Sequence, residues 1–87
     1  MSKIYKILQK ILSGSSDKNI KFSELRRLLL YTNFEERIKG SHHIFRKSDI
    51  DMMINIQKDG NKAKPYQVKQ IRDIILKNNL INDILDK

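Results

Sequence analysis

The stretch Phe34-Glu35-Glu36-Arg37-Ile38-Lys39-Gly40-Ser41-His42-His43-Ile44-Phe45-Arg46 decides the fold of this chain. Phe34, Glu36 and Ile38 alternate with Glu35, Arg37 and Lys39, the period of two that a half-buried strand requires. A second strand-like run resumes at His42. Two such runs joined by Gly40-Ser41 read as a tight hairpin, with Gly40 supplying the positive φ of a type II′ turn. A two-residue loop sets the register: Lys39 stands opposite His42, and Ile38 opposite His43. Directly opposed residues share a face. One face then carries Phe34, Glu36, Ile38, His43 and Phe45, and is expected to pack on helices. The other carries Glu35, Arg37, Lys39, His42, Ile44 and Arg46, and is expected to look outward.

Downstream, Ser48-Asp49 suggests a second turn. Met52, Ile54 and Ile56 then alternate with Met53, Asn55 and Gln57 as a third strand. Lys58 to Lys64 reads as a basic connecting loop. Pro65 suits the first position of a helix, with Val68, Ile71 and Ile75 inward and Lys69 and Arg72 outward. Upstream, Ile4, Ile7, Leu8, Ile11 and Leu12 follow the spacing of an amphipathic helix over residues 2–13, with Ser2 as N-cap. A second helix is expected from an N-cap at Ser23. It buries Leu25, Leu28 and Leu29, leaves Arg26 and Arg27 in solvent, and ends at Asn33. Leu80, Ile81, Ile84 and Leu85 suggest one short further turn of helix.

The expected order is α-α-β-β-β-α, an α+β fold with a three-stranded antiparallel sheet and helices on one face. Its later part has the order of a double-stranded-RNA-binding domain. At 87 residues the chain suits one domain over 1–87, with an extra N-terminal helix (2–13), a core (20–78) and a short C-terminal tail (79–87).

Eighteen basic against ten acidic residues give a formal charge of +8, which favours polyanionic partners. The absence of cysteine excludes disulfides and thiolate metal sites, and points to a reducing, cytoplasmic setting. No apolar run approaches the ~20 residues of a membrane span, and Lys6 and Lys10 interrupt any signal-peptide core before Gly14.

His42 is the candidate chemical group. A histidine near a turn is most often an ordinary surface residue. Here it is expected among Arg37, Lys39 and Arg46, where a phosphodiester docks, and an imidazole exchanges protons near neutrality. His43, half-buried, reads as a core histidine with one hydrogen bond. Adjacent strand residues point to opposite faces, so the two cannot chelate one ion, and neither a metal nor a cofactor is expected. Lys62 and Lys64 read equally as solvated loop or as phosphate contacts. Tyr66 and Gln67 are expected to dock the start of the last helix.

At these residues the sequence resembles the HicA family of toxin endoribonucleases from bacterial toxin–antitoxin pairs. The likeness runs through Phe34 to Phe45. It resumes at Gly60-Asn61-Lys62-Ala63-Lys64-Pro65-Tyr66-Gln67-Val68-Lys69-Gln70-Ile71-Arg72, with Ile20-Lys21-Phe22-Ser23-Glu24-Leu25 and Leu28-Leu29 fitting upstream. The resemblance implies a double-stranded-RNA-binding-like fold and metal-independent cleavage of messenger RNA. It makes His42, the first histidine after Gly-Ser, the catalytic residue, and it implies a HicB-type antitoxin as partner. Arg37, Lys39, Ser41, Arg46, Lys62, Lys64 and Lys69 are the expected RNA contacts. Many members carry a Pro-His pair after the third strand. Here that stretch reads Gln57-Lys58-Asp59, so no second histidine is available as proton donor.

Two other readings share these features. A non-catalytic RNA-binding module of the same fold would bind RNA with salt sensitivity and leave it intact. A basic amphipathic first helix can also lie on a membrane surface, although core cover explains its apolar stripe more simply. Helix-turn-helix spacing is absent, so DNA binding by this chain alone is not expected.

Overall fold

The structure, a computed structural model, describes residues 3–85. The expected cap at Ser2 lies outside them, as do the last two residues of the tail.

Helix α1 (Lys3–Ser13) buries Ile4, Ile7, Leu8 and Ile11. It stops at Gly14, whose φ of 71° belongs to the left-handed region. A single 3₁₀ turn (Asp17–Asn19) leads to α2 (Phe22–Tyr31). That helix starts one residue before the expected cap: Lys21, not Ser23, is the N-cap. The Glu24 carboxylate accepts the Lys21 N–H at 3.0 Å, so the third residue of the helix satisfies the donor that a capping serine leaves to it. At the other end Asn33 adopts φ 69°. Its N–H donates to Leu30 and the Phe34 N–H to Leu29. This is a Schellman closure that turns the chain into the sheet.

The sheet consists of β1 (Glu35–Lys39), β2 (His42–Lys47) and β3 (Ile50–Ile56), antiparallel in the order β1-β2-β3. The turn dictates the first pairing. Gly40 has φ 60°, Lys39 faces His42, and Ile38 faces His43. In the second pairing Ile44 faces Asn55 and Phe45 faces Ile54, with an irregularity between Arg46 and Lys47. Phe45, Ile54 and Ile56 are fully buried against the helices, whereas Arg37, Lys39, His42, Arg46, Met53 and Asn55 are exposed. The chain thus folds as a three-stranded antiparallel sheet with helices on one face. Ile38, expected on that buried face, does not join it, and neither does Met52, in phase with Ile54 and Ile56. Ile38 is 57% exposed and Met52 is exposed too, because the helices leave the far end of edge strand β1 and the bulged start of β3 uncovered.

Residues 58–64, expected as a plain loop, contain a second hairpin. Lys58–Asp59 (β4) pairs with Lys62–Ala63 (β5) around Gly60, at φ 64°. Two backbone bonds dock it on the entry to α2, from Ala63 N–H to Ile20 O (2.9 Å) and from Phe22 N–H to Asn61 O (3.0 Å). Helix α3 (Pro65–Lys77) opens on its proline and buries Val68, Ile71, Ile74 and Ile75. Asn79, at φ 55°, separates it from the short α4 (Leu80–Leu85), which buries Leu80 and Ile84. Arg72 does not face solvent as expected. Its Nη1 donates to Asp17 Oδ1 at 2.9 Å and to the Ile11 carbonyl at 3.1 Å, tying α3 to the end of α1. One continuous apolar core joins all four helices to the inner face of the sheet.

A Cβ built on Gly40 meets nothing within 4 Å, so replacement there is penalised by backbone conformation alone. Gly40→Ala is expected to cost about 1–2 kcal/mol, and to lower the thermal midpoint by roughly 4–8 °C per kcal/mol for a domain of this size. Thermal melts followed by circular dichroism test this. An unchanged midpoint would contradict the left-handed turn.

Candidate functional site

His42 lies on the exposed face of the hairpin, on its central strand. The register sorts its cationic neighbours by distance. Lys39 is directly opposite and Arg37 diagonal, about 5 and 7–8 Å away between side-chain roots. Arg46 is four residues along the same strand, roughly 13 Å away at ~3.3 Å per residue. It stands opposite Glu35. The expected trio of cations around His42 is therefore a pair, with Arg46 at the far end of the sheet.

Both ring nitrogens of His42 have partners. Nδ1 is 3.2 Å from Asn55 Oδ1, and Nε2 is 3.3 Å from the Gln57 amide nitrogen. An amide oxygen only accepts and an amide NH₂ only donates. These contacts fit a ring that carries hydrogen on Nδ1 and turns the Nε2 lone pair toward Gln57. That is the form in which an imidazole can take a proton. The same Gln57 nitrogen lies 3.4 Å from Ser41 Oγ, so Gln57 links the turn to the histidine.

His43 points to the other side. Its Nδ1 is 2.8 Å from Glu36 Oε2, and its ring meets the Phe22 ring edge-on at a centroid distance of 4.7 Å. Glu36 also receives a two-pronged contact from Arg26, with Nε and Nη2 each 2.7 Å from an oxygen. Arg26, expected in solvent, thus anchors α2 to β1. Hydrogen bonding to Arg26 holds the Glu36 carboxyl below its ordinary range. Burial opposes this shift, and the His43 hydrogen bond adds to it. The Arg26 guanidinium is raised in turn, chiefly by its hydrogen bond to Glu36.

Of the remaining expected contacts, Ser41 and Lys64 come together with His43, Gln57 and Lys58 around a cleft of about 310 Å³. Lys62 lies outside it and donates to Asn19 Oδ1 at 3.3 Å. Lys69 is exposed on α3, more than one turn beyond Lys64, and does not line the cleft. Gln67 docks the start of α3, buried and donating to the Asn55 carbonyl. Tyr66, expected to do the same, is 64% exposed. Sequence reasoning did not single out Gln57, Asn55 or Lys58. The signal for Asn55 was available, since the alternation of β3 sets it on the outer face.

Among the described residues no group of three or more His, Asp or Glu side chains is close enough to share a metal ion, and no helix is long and apolar enough to cross a membrane. No family model, curated protein or solved structure matches the chain.

Glu36→Gln removes the charge from a carboxylate that is only 9% exposed, and is expected to cost about 1.5–3 kcal/mol at neutral pH. Because folding lowers the Glu36 pKa, the fold favours the ionised form. This contribution is complete above the ordinary value of 4.5 and is lost as pH falls through the lower folded value. Denaturant titrations should show wild-type stability approaching that of the variant as the pH is lowered. A constant gap across that range would contradict the assignment.

Proposed function

We propose that this chain is a HicA-type toxin, an endoribonuclease of the cytoplasm that cleaves messenger RNA and is held in check by a HicB-type antitoxin. The observation that carries this reading is the His42 ring on an exposed sheet face that it shares with Lys39 and Arg37, with Nδ1 toward the Asn55 side-chain oxygen and Nε2 toward the Gln57 amide nitrogen. The strand order and one-sided helix cover fit a double-stranded-RNA-binding-like fold, and the motif around Gly40-Ser41-His42 fits the family. An RNA surface on the outer sheet face would be the surface that an antitoxin covers.

In the proposed reaction the ribose 2′-hydroxyl displaces the Gln57 amide from His42 Nε2 and gives up its proton there. The 2′-oxygen attacks the adjacent phosphorus as the bond to the 5′-oxygen breaks, and the leaving oxygen takes a proton from water. Products are a 2′,3′-cyclic phosphate and a 5′-hydroxyl. Lys39 and Arg37 stand near enough to stabilise charge on the phosphorus oxygens. Arg46 is suited only to a flanking phosphate.

A second reading has an observation of its own. Gln57 already occupies His42 Nε2, an arrangement that suits a non-catalytic RNA-binding module. General-base catalysis is worth about 10²–10⁴-fold. His42→Ala should therefore slow cleavage of mixed messenger RNA by at least about 10²-fold in the presence of chelator, with RNA binding and fold retained. Equal cleavage by both proteins would refute the role of His42, and intact RNA with both, bound in a salt-sensitive manner, would favour the binding module.

A further inference from the structure

The cleft behind the hairpin tip differs in chemistry from three other clefts of the surface. Its walls are Ser41, His43, Gln57, Lys58 and Lys64, which offer a hydroxyl, an amide NH₂ and two ammonium groups, and no carboxylate. Those three each present a carboxylate. Glu35 and Asp51 line one, Glu35 and Glu36 a second, and Glu24 a third. An anion entering the first cleft meets two ammonium groups and no carboxylate in its walls.

The walls are held in place before any ligand arrives. The Lys58 ammonium sits 5.5 Å from the centre of the Phe22 ring, and the same ring meets His43 edge-on. Glu36 fixes His43 from behind. Lys64 is the N-cap of α3, so the positive end of that helix lies at the same rim. Asp59, next to Lys58 in sequence, stands opposite Lys62 in the backbone register of its own hairpin and does not line the cleft.

Gln57 makes the cleft continuous with His42. Its amide nitrogen lies 3.4 Å from Ser41 Oγ in the cleft wall and 3.3 Å from His42 Nε2 on the outer face. We infer that this cleft binds a backbone phosphate of an RNA strand that passes over the hairpin tip, with the linkage to be cut at His42 and a neighbouring phosphate held by Lys58, Lys64 and Ser41. The inference rests on the reading of RNA as the polyanion, and adds to it a path and a subsite.

The experiment is fluorescence anisotropy with a short, 2′-O-methylated and hence uncleavable oligoribonucleotide, titrated at several salt concentrations. Three proteins are compared: wild type, Lys58→Gln/Lys64→Gln, and Lys18→Gln/Lys77→Gln. The last pair removes the same charge from exposed positions outside the cleft. Each phosphate contact with a single strand contributes about 0.7 to the slope of log K on log salt. The cleft pair, which together holds one phosphate, should therefore lower the slope by about 0.7 and weaken binding, while the distant pair keeps the wild-type slope. Equal slopes for the two pairs would overturn the proposal and leave binding to net charge. Inorganic phosphate that displaces the oligonucleotide no better than chloride at equal ionic strength supports a bridging phosphodiester. Displacement well beyond chloride would reassign the cleft to terminal or free phosphate. Cleavage of messenger RNA, measured on the same three proteins, separates the two claims. Intact cleavage with equal slopes removes the cleft alone, whereas absent cleavage in wild type with unequal slopes removes the catalytic reading alone.

Discussion

The pairing of β1 with β2 across the Gly40-Ser41 turn is the constraint on which the rest of the molecule depends. A turn of two residues permits one register, and side chains in a strand change face at every step. Moving that register by one residue would drive His42 into the core and lift Phe45, which is fully buried, into water. Burying a phenylalanine is worth about 1.5–3 kcal/mol, so the core enforces what the turn proposes. The division of labour between two adjacent histidines follows from this. His42 meets solvent and two cations, while His43 meets Glu36 and Phe22.

The inner face carries an ionic link inside an otherwise apolar layer. Glu36 accepts from Arg26 on α2 and lies within hydrogen-bond distance of His43 on β2, so three elements converge on one carboxylate. Such a group is costly to bury alone and is tolerated because each of its oxygens is occupied. Arg26 keeps contact with water, which reduces the cost further. The link also braces the rear wall of the donor-lined cleft, and so connects the stability of the sheet to the surface where an anion would sit.

The hairpin and the helical stripes were legible in the sequence because their signals are local. The alternation around Gly40-Ser41 gave the two faces of β1 and β2, and the spacing of Ile4 to Leu12 gave α1. What escaped was nonlocal. Arg72 looks like an outward cation until Asp17, 55 positions away in the chain, is folded beside it, and Arg26 likewise until Glu36 arrives. The hairpin at residues 58–63 is only two pairs long and polar, so it lacks the alternation that marks a strand. Its partner is the backbone of Ile20–Phe22 rather than an apolar face. Within the candidate site, His42 and its cationic neighbours could be read from register. The approach of Gln57 to His42 could not, because the register break between Arg46 and Lys47 decides which part of β3 comes to stand beside His42. Arg46 was misjudged for a simpler reason: it shares a face with His42 but lies four residues along the strand.

The outer sheet face around His42 is the proposed RNA surface, and the chain offers a rival to it. A second basic cleft, lined by Lys3, Lys6, Lys21 and Arg27 together with Glu24, lies between α1 and α2. The direct measurement is a map of backbone amide shifts in isotopically labelled wild type as an uncleavable 2′-O-methyl oligoribonucleotide is added. The shifts are expected to centre on Arg37, Lys39, His42, Asn55 and Gln57, with the α1 amides unmoved. Shifts centred on α1 and the start of α2, with β2 silent, would contradict the proposed surface.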